Sequence, residues 1–252
     1  MKKIIHLSDT HVGYEDLNTR LGDVVTRMIF HKTPAENYVV VITGDLVEDA
    51  TREGSYEEAS THLNRLKKAG FIVLVAPGNH DYGTGGIGSK DYVDRFKKHF
   101  FENTAVSYPK LDIIENIAFI GLDSMAEELN WYDRLFAQGE LGEKQLKRLP
   151  KMLKSTEVKN SKYTVIYLHH HPFHPKPFHE LKDSDELRKT LEGYQIDALL
   201  FGHNHDGRIW NGGWGIKRVY DGGTSTSKEG KPNPHRVIDL SKEPIFDYDA
   251  KF

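Results

Sequence analysis

The chain has 252 residues, 38% of them hydrophobic and 28% charged; this supports a sizeable core under a polar surface, with one domain spanning 1–252 as the expected organisation. A net charge of −3 argues against a protein that coats nucleic acid, and with no cysteine there is no disulfide framework, thiolate metal site or cysteine nucleophile. No stretch approaches the roughly 20 apolar residues of a membrane span, and the run from Met1 to Leu7 is too short for a signal peptide, so a cytoplasmic protein is expected.

The first hundred residues alternate strand and helix. Lys3–Leu7 reads as a buried strand, followed by an amphipathic helix with Leu17, Leu21, Val24, Val25, Met28 and Ile29 on one face. Tyr38–Thr43 is a β-branched strand stopped by Gly44, and the next helix carries Tyr56, Ala59, Leu63 and Leu66. Phe71–Ala76 is a third strand, cut off by Pro77-Gly78. Continuous apolar strands joined by helices predict a parallel sheet covered on both faces. Further on, Asp91–Phe100 and Gly139–Leu153 read as helical, with another helix near Leu187–Leu191. Ile117–Leu122, Tyr163–Leu168 and Ile196–Phe201 read as strands. The tail holds Gly-rich turns and short strand-like runs, Val219–Asp221 and Arg236–Leu240, expected to complete the same sheet system.

Five polar clusters each follow one of these strands: Asp9-Thr10-His11, Gly44-Asp45, Gly78-Asn79-His80-Asp81, His169-His170-His171-Pro172, and Gly202-His203-Asn204-His205. The carboxyl ends of strands in open α/β sheets are where ligands bind. Oxygen and imidazole donors together suit borderline divalent metals, and about seven candidates are too many for one four-coordinate zinc but right for two metals sharing a carboxylate. The glycines before Asp45, Asn79 and His203 are expected to permit tight turns. These segments, with Glu48 and Asp49, carry no lysine or arginine. A phosphate anion would be repelled there unless cations reversed the local field, which points to metal-assisted hydrolysis; no GxxxxGK[ST] phosphate loop is present.

The ordered set Asp-x-His, Gly-Asp, Gly-Asn-His-Asp, His and Gly-His-x-His resembles the calcineurin-like metallophosphoesterase superfamily across Asp9–His205. The stretch from Gly139 to Leu146 resembles a helix start of the class III cyclic-nucleotide phosphodiesterase branch. The resemblance implies a four-layer α/β/β/α sandwich and two divalent cations, Mn, Fe or Zn. It implies that Asp9, His11 and His205 hold one metal, that Asn79, His170 and His203 hold the other, and that Asp45 bridges them. In the histidine triplet, strand alternation lets only His169 and His171 share a side, whereas the family pattern of ligand, any residue, proline selects His170. His80 is implied to be catalytic, beside the substrate and supported by Glu48, with adjacent Asp49 able to replace it. A hydroxide held by the metals would attack phosphorus while His80 assists the leaving oxygen.

The resemblance makes a phosphodiester the leading candidate substrate, with a cyclic nucleotide as one such diester. A phosphomonoester is the alternative; a nuclease, or an inactive binding scaffold, ranks below both. His174 and His179, with Phe173, Pro175 and Phe178, form either a loop shaping access or a cover for the sheet edge. Trp131, Tyr132, Arg134 and Phe136 read as a helix–core contact before a base-stacking segment. Tyr14 and Tyr82 stand beside motif residues, placed for packing or substrate contact, and His6 is expected to be a satisfied core histidine.

Overall fold

The computed structural model describes residues 1–125, 138–174 and 180–252. Alternation along the strands builds its layers. In β2 (Tyr38–Thr43), Val39 and Val41 point into one apolar cluster while Val40 and Ile42 point into another. The strand is buried on both faces, which is why it reads as a continuous β-branched run. With β1 (Lys3–Leu7) and β3 (Ile72–Ala76) it forms the parallel part of a five-stranded sheet. The antiparallel strands β9 (His235–Ile238) and β10 (Tyr248–Ala250) complete the order β10-β9-β1-β2-β3.

The second sheet has the order β4-β5-β6-β7-β8, from β4 (Lys110–Ile114), β5 (Ile117–Gly121), β6 (Tyr163–Tyr167), β7 (Ala198–Phe201) and β8 (Arg218–Asp221). Only β4 is antiparallel to its neighbour. Ile4, Val39, Val41 and Leu74 from the first sheet share a buried cluster with Phe119, Val165, Tyr167 and Leu200 from the second. Helices α1 (Leu17–Ile29), α2 (Ser55–Lys68) and α3 (Lys90–Phe101) cover the outer face of the first sheet. Helices α4 (Gly142–Leu153), α5 (Thr156–Asn160) and α6 (Ser184–Leu191) cover the second. The result is the expected α/β/β/α sandwich.

Three elements escape the sequence reading. β4 is a partly exposed edge strand, β10 has three mostly exposed residues, and α5 is a five-residue turn of helix; none is long or apolar enough to show a period. The tail also divides: β8 extends the second sheet, and β9 and β10 extend the first. The Trp131–Phe136 segment and Pro175, Phe178 and His179 lie outside the described residues. No helix among the described residues is long and apolar enough to cross a membrane.

Phe119 is fully buried between the sheets. Phe119→Ala should therefore cost about 3–5 kcal/mol of unfolding free energy, read as a lower urea midpoint with an unchanged denaturant slope.

Candidate metal centre

Parallel registry brings strand ends level: Leu7 pairs with Ile42, Thr43 with Ala76, Tyr167 with Leu200 and Phe201 with Asp221. The loops leaving both sheets then meet over one edge. Their backbone is unusual. Asp9 (φ 50°), His11 (φ 43°), Asp45 (φ 49°), His203 (φ 74°) and His205 (φ 57°) all occupy the left-handed region, which costs a non-glycine residue of order 1–3 kcal/mol and persists only where surroundings enforce it. Here main-chain bonds enforce it, Asp9 N–H donating to Gly44 C=O (3.0 Å) and His11 N–H to Asp45 C=O (3.0 Å). The preceding glycines act for different reasons. Gly44 has φ 90°, the left-handed turn expected, whereas Gly78 and Gly202 supply room: a Cβ there would stand 2.2 Å from Asp45 Oδ1 and 2.2 Å from Asp9 Oδ2.

Two groups of donors result. In the first, His205 Nε2 lies 3.2 Å from Asp9 Oδ1 and 3.1 Å from His11 Nε2. His11 Nε2 is 3.9 Å from Asp9 Oδ1 and 3.8 Å from Asp45 Oδ2. In the second, His169 Nε2 lies 3.3 Å from Asp45 Oδ2, 3.1 Å from Asn79 Oδ1 and 3.3 Å from His203 Nδ1. Nitrogens and oxygens facing one another across such gaps form His/Asp clusters able to hold metal ions.

In the second group it is His169 whose Nε2 faces Asp45, Asn79 and His203. Val165 and Tyr167 point into the inter-sheet core while Ile166 and Leu168 point under the helices, and His169 continues the inward row. His170 keeps a ring nitrogen within 4.8 Å of donors on His169 and His203, but its Nδ1 is 2.8 Å from Ser124 Oγ and its ring lies on that of His203 at 4.3 Å. His171 packs against Phe201 and Trp210.

His80 Nδ1 lies 2.6 Å from the main-chain carbonyl of Glu48. Because a carbonyl only accepts, the ring proton sits on Nδ1 and Nε2 is left open. Residue 48 thus meets the His80 ring through its backbone carbonyl. The Glu48 carboxylate instead accepts from His11 Nδ1 at 2.8 Å and from Lys228 Nζ at 2.6 Å, while Asp49 closes a turn on Thr51. His169 Nδ1 likewise donates to Thr43 C=O at 2.7 Å. Each outer bond selects the tautomer that turns Nε2 inward.

Asp81, Lys228 and the His6 chain were not singled out from sequence as site support. Buried Asp81 accepts from the Leu46, Val47 and Gly78 N–H groups at 2.8, 3.2 and 2.9 Å, tying the Asp45 loop to the Asn79 loop. The Asp ending Gly-Asn-His-Asp was the available signal. His6 Nε2 lies 3.0 Å from Thr43 Oγ1, which donates to Ser8 Oγ at 2.8 Å, and Ser8 Oγ donates to Asp9 Oδ2. Among the described residues His6 Nδ1 has no partner, so there this core histidine is satisfied on one side only. Tyr82 is a packing residue, fully buried with its hydroxyl on Asp123 Oδ2 at 3.1 Å.

The electrostatics call for positive charge. Burial opposes ionisation of Asp45, yet His169 and His80 hold its carboxyl well below the usual range. Burial also disfavours a charged His169, but Asp45 and Asp9 outweigh it and push the imidazole up to about 10. A proton there occupies the potential that a cation would. Burial and then the charge of His169 push His203 down to about 3, keeping it a neutral donor. Partial burial of Glu48 is outweighed by its bonds from His11 and Lys228, which hold it at about 2.

Residues 2–207 match the model of the calcineurin-like phosphoesterase domain. The chain belongs to that family. It is 27% identical over 226 residues, 83% of this chain and 73% of the relative, to the 3′,5′-cyclic adenosine monophosphate phosphodiesterase CpdA of Haemophilus influenzae. It is 28% identical over 141 residues, 52% of this chain and 31% of the relative, to the DNA double-strand break repair protein Mre11 of Haloferax volcanii. Its fold is shared with phosphopantetheinyl hydrolase from Mycobacterium tuberculosis (TM-score 0.51, 13% identity, 92% of this chain and 93% of that one). The chain is a phosphoric ester hydrolase of this family.

Behind the phosphoesterase site, buried Asp221 accepts from Gly223 N–H at 2.8 Å and Gly207 N–H at 3.3 Å, while its other oxygen, Oδ2, has no partner among the described residues. Burial, aided by Asp9 and against those two bonds, raises its carboxyl to about 7. A raised acid stabilises the fold below its unfolded pKa and loses that contribution as pH rises through the folded value. In metal-free protein, Asp221→Asn should therefore gain on wild type between about pH 4 and pH 7, with a slope approaching about 1.4 kcal/mol per pH unit, measured by urea unfolding at each pH.

Proposed function

We propose that this phosphoesterase hydrolyses a phosphodiester at a pair of divalent cations, Asp9, His11 and His205 holding one, Asn79, His169 and His203 the other, and Asp45 serving both. One observation carries the reading: a single carboxylate oxygen, Asp45 Oδ2, is 3.8 Å from His11 Nε2 and 3.3 Å from His169 Nε2, within reach of both donor groups. The mixed oxygen and imidazole set suits Mn, Fe or Zn. When bound, such a pair would lower the pKa of water and polarise a phosphoryl oxygen.

The chain's own residues supply the rest. Asp45 is held by His80 N–H, which donates to Oδ1 at 3.0 Å, while Oδ2 faces His11 Nε2 and His169 Nε2. Asn79 donates its amide to Gly85 C=O at 2.9 Å, which turns its oxygen toward His169. His80, with Nδ1–H donating to Glu48 C=O, keeps Nε2 free, and in its imidazolium form the ring would pass the Nε2 proton to the leaving oxygen. The likeness to a cyclic adenosine monophosphate phosphodiesterase over 83% of the chain favours a cyclic nucleotide as the diester.

Metal analysis of variants tests the ligand set. Asp45→Ala should lose both ions and activity together. His169→Ala should lose one ion, whereas His170→Ala should keep two; the reverse result would reinstate His170. His80→Ala should keep both ions while turnover drops by about 10²–10⁴.

The substrate is tested separately with Mn-loaded enzyme on bis(p-nitrophenyl) phosphate, p-nitrophenyl phosphate and 3′,5′-cyclic adenosine monophosphate. Both diesters should be cleaved faster than the monoester. Faster monoester cleavage would replace the diester reading with a phosphomonoesterase, and no turnover of any would favour a binding scaffold.

A further inference from the structure

The segment from Gly222 to Gly230 lies beyond the residues that match the family, yet it walls the Asp9 side of the centre. Ser8 N–H donates to Ser225 Oγ and Ser225 N–H to Ser8 C=O, both at 2.9 Å, and Thr226 Oγ1 donates to Thr10 C=O at 3.1 Å. Lys228 enters from this segment and is 7% exposed. A lysine seldom accepts such burial without a fixed counter-charge. Here Nζ donates to Glu48 Oε2 at 2.6 Å and stands 4.8 Å from the centre of the Tyr14 ring. The same Glu48 oxygen accepts from His11 Nδ1 at 2.8 Å, so the two donors, 3.4 Å apart, converge on one atom.

The backbone is bent to deliver this ammonium. Ser227 (φ 59°) and Glu229 (φ 51°), on either side of Lys228, are both left-handed. Arg20 holds the bend by donating to Ser227 C=O at 3.2 Å, and Lys228 N–H donates to Thr224 Oγ1 at 3.1 Å. Glu48 is partly open to solvent, its side chain 25% exposed. With His11 as its sole donor it could turn outward into water; a second, buried donor from the opposite side stops it.

We infer that Lys228 is a positioning residue that clamps the Glu48 carboxylate onto His11 Nδ1 and so fixes the imidazole presented to the Asp9 group. This inference rests on the two-cation reading above. It makes the C-terminal segment part of one half of the centre and leaves the His169 half untouched.

Calorimetric titration of metal-free protein with Mn²⁺ tests it. Wild type should bind two ions. In K228M one of them should weaken by about 10–100-fold, as loss of an outer partner does, and the other should change by less than about twofold. E48Q should show the same single-ion loss, and adding K228M to E48Q should change little more, because both act through one bond. Equal weakening of both ions, additive effects in the double variant, or no change in K228M would each overturn the inference. If K228M fails to fold, K228Q makes the same comparison with the length kept and the charge removed. Fewer than two ions on wild type would instead sink the two-cation reading itself.

Discussion

Asp9 and Asp45 bury two carboxylates in one place, 0% and 2% exposed, and like charges that close cannot both stay ionised without positive charge between or beside them. The surrounding structure answers that demand. His169, between the two, is pushed up to about 10, and the remaining imidazoles turn lone pairs toward the same space. The left-handed backbone at five donor positions is a further cost of convergence, offset by main-chain bonds and by Asp81, which grips three N–H groups from two loops.

The centre belongs to neither sheet alone. Asp9, His11, Asp45 and Asn79 follow strands of the first sheet, and His169, His203 and His205 follow strands of the second. Bonds crossing between them, His169 Nδ1 to Thr43 C=O at 2.7 Å and His203 N–H to Asp9 Oδ1 at 3.2 Å, hold the halves in register. The inter-sheet core, with Phe119 and Tyr167 fully buried, sets the distance at which they meet. Packing and site geometry are therefore coupled through the same layer.

The support beyond the donors is selective. Glu48 and Thr43 C=O each take an N–H from the outer side of a ring, which determines the nitrogen that looks inward. The Glu48 backbone does the same for His80. One residue thus steers two histidines, His11 by its carboxylate and His80 by its carbonyl.

Much of this was legible in the order of residues. Period-2 and period-3.6 patterns located the buried strands and main helices, because burial on both faces leaves continuous apolar runs, and five clusters after strand ends marked the edge where ligands gather. The sequence by itself determined the donor types, and hence a family of metal-assisted phosphoester chemistry. Only the tertiary structure decided which atoms meet. It set His169 Nε2 against Asp45, Asn79 and His203, because strand alternation aims each side chain relative to a core whose location is a three-dimensional fact. It brought Lys228 to Glu48 across 180 positions, and it separated the Glu48 carbonyl from its carboxylate in function. Spacing along a chain constrains neighbours a few residues apart; the partners of a buried charge are chosen by packing, which has no local signature.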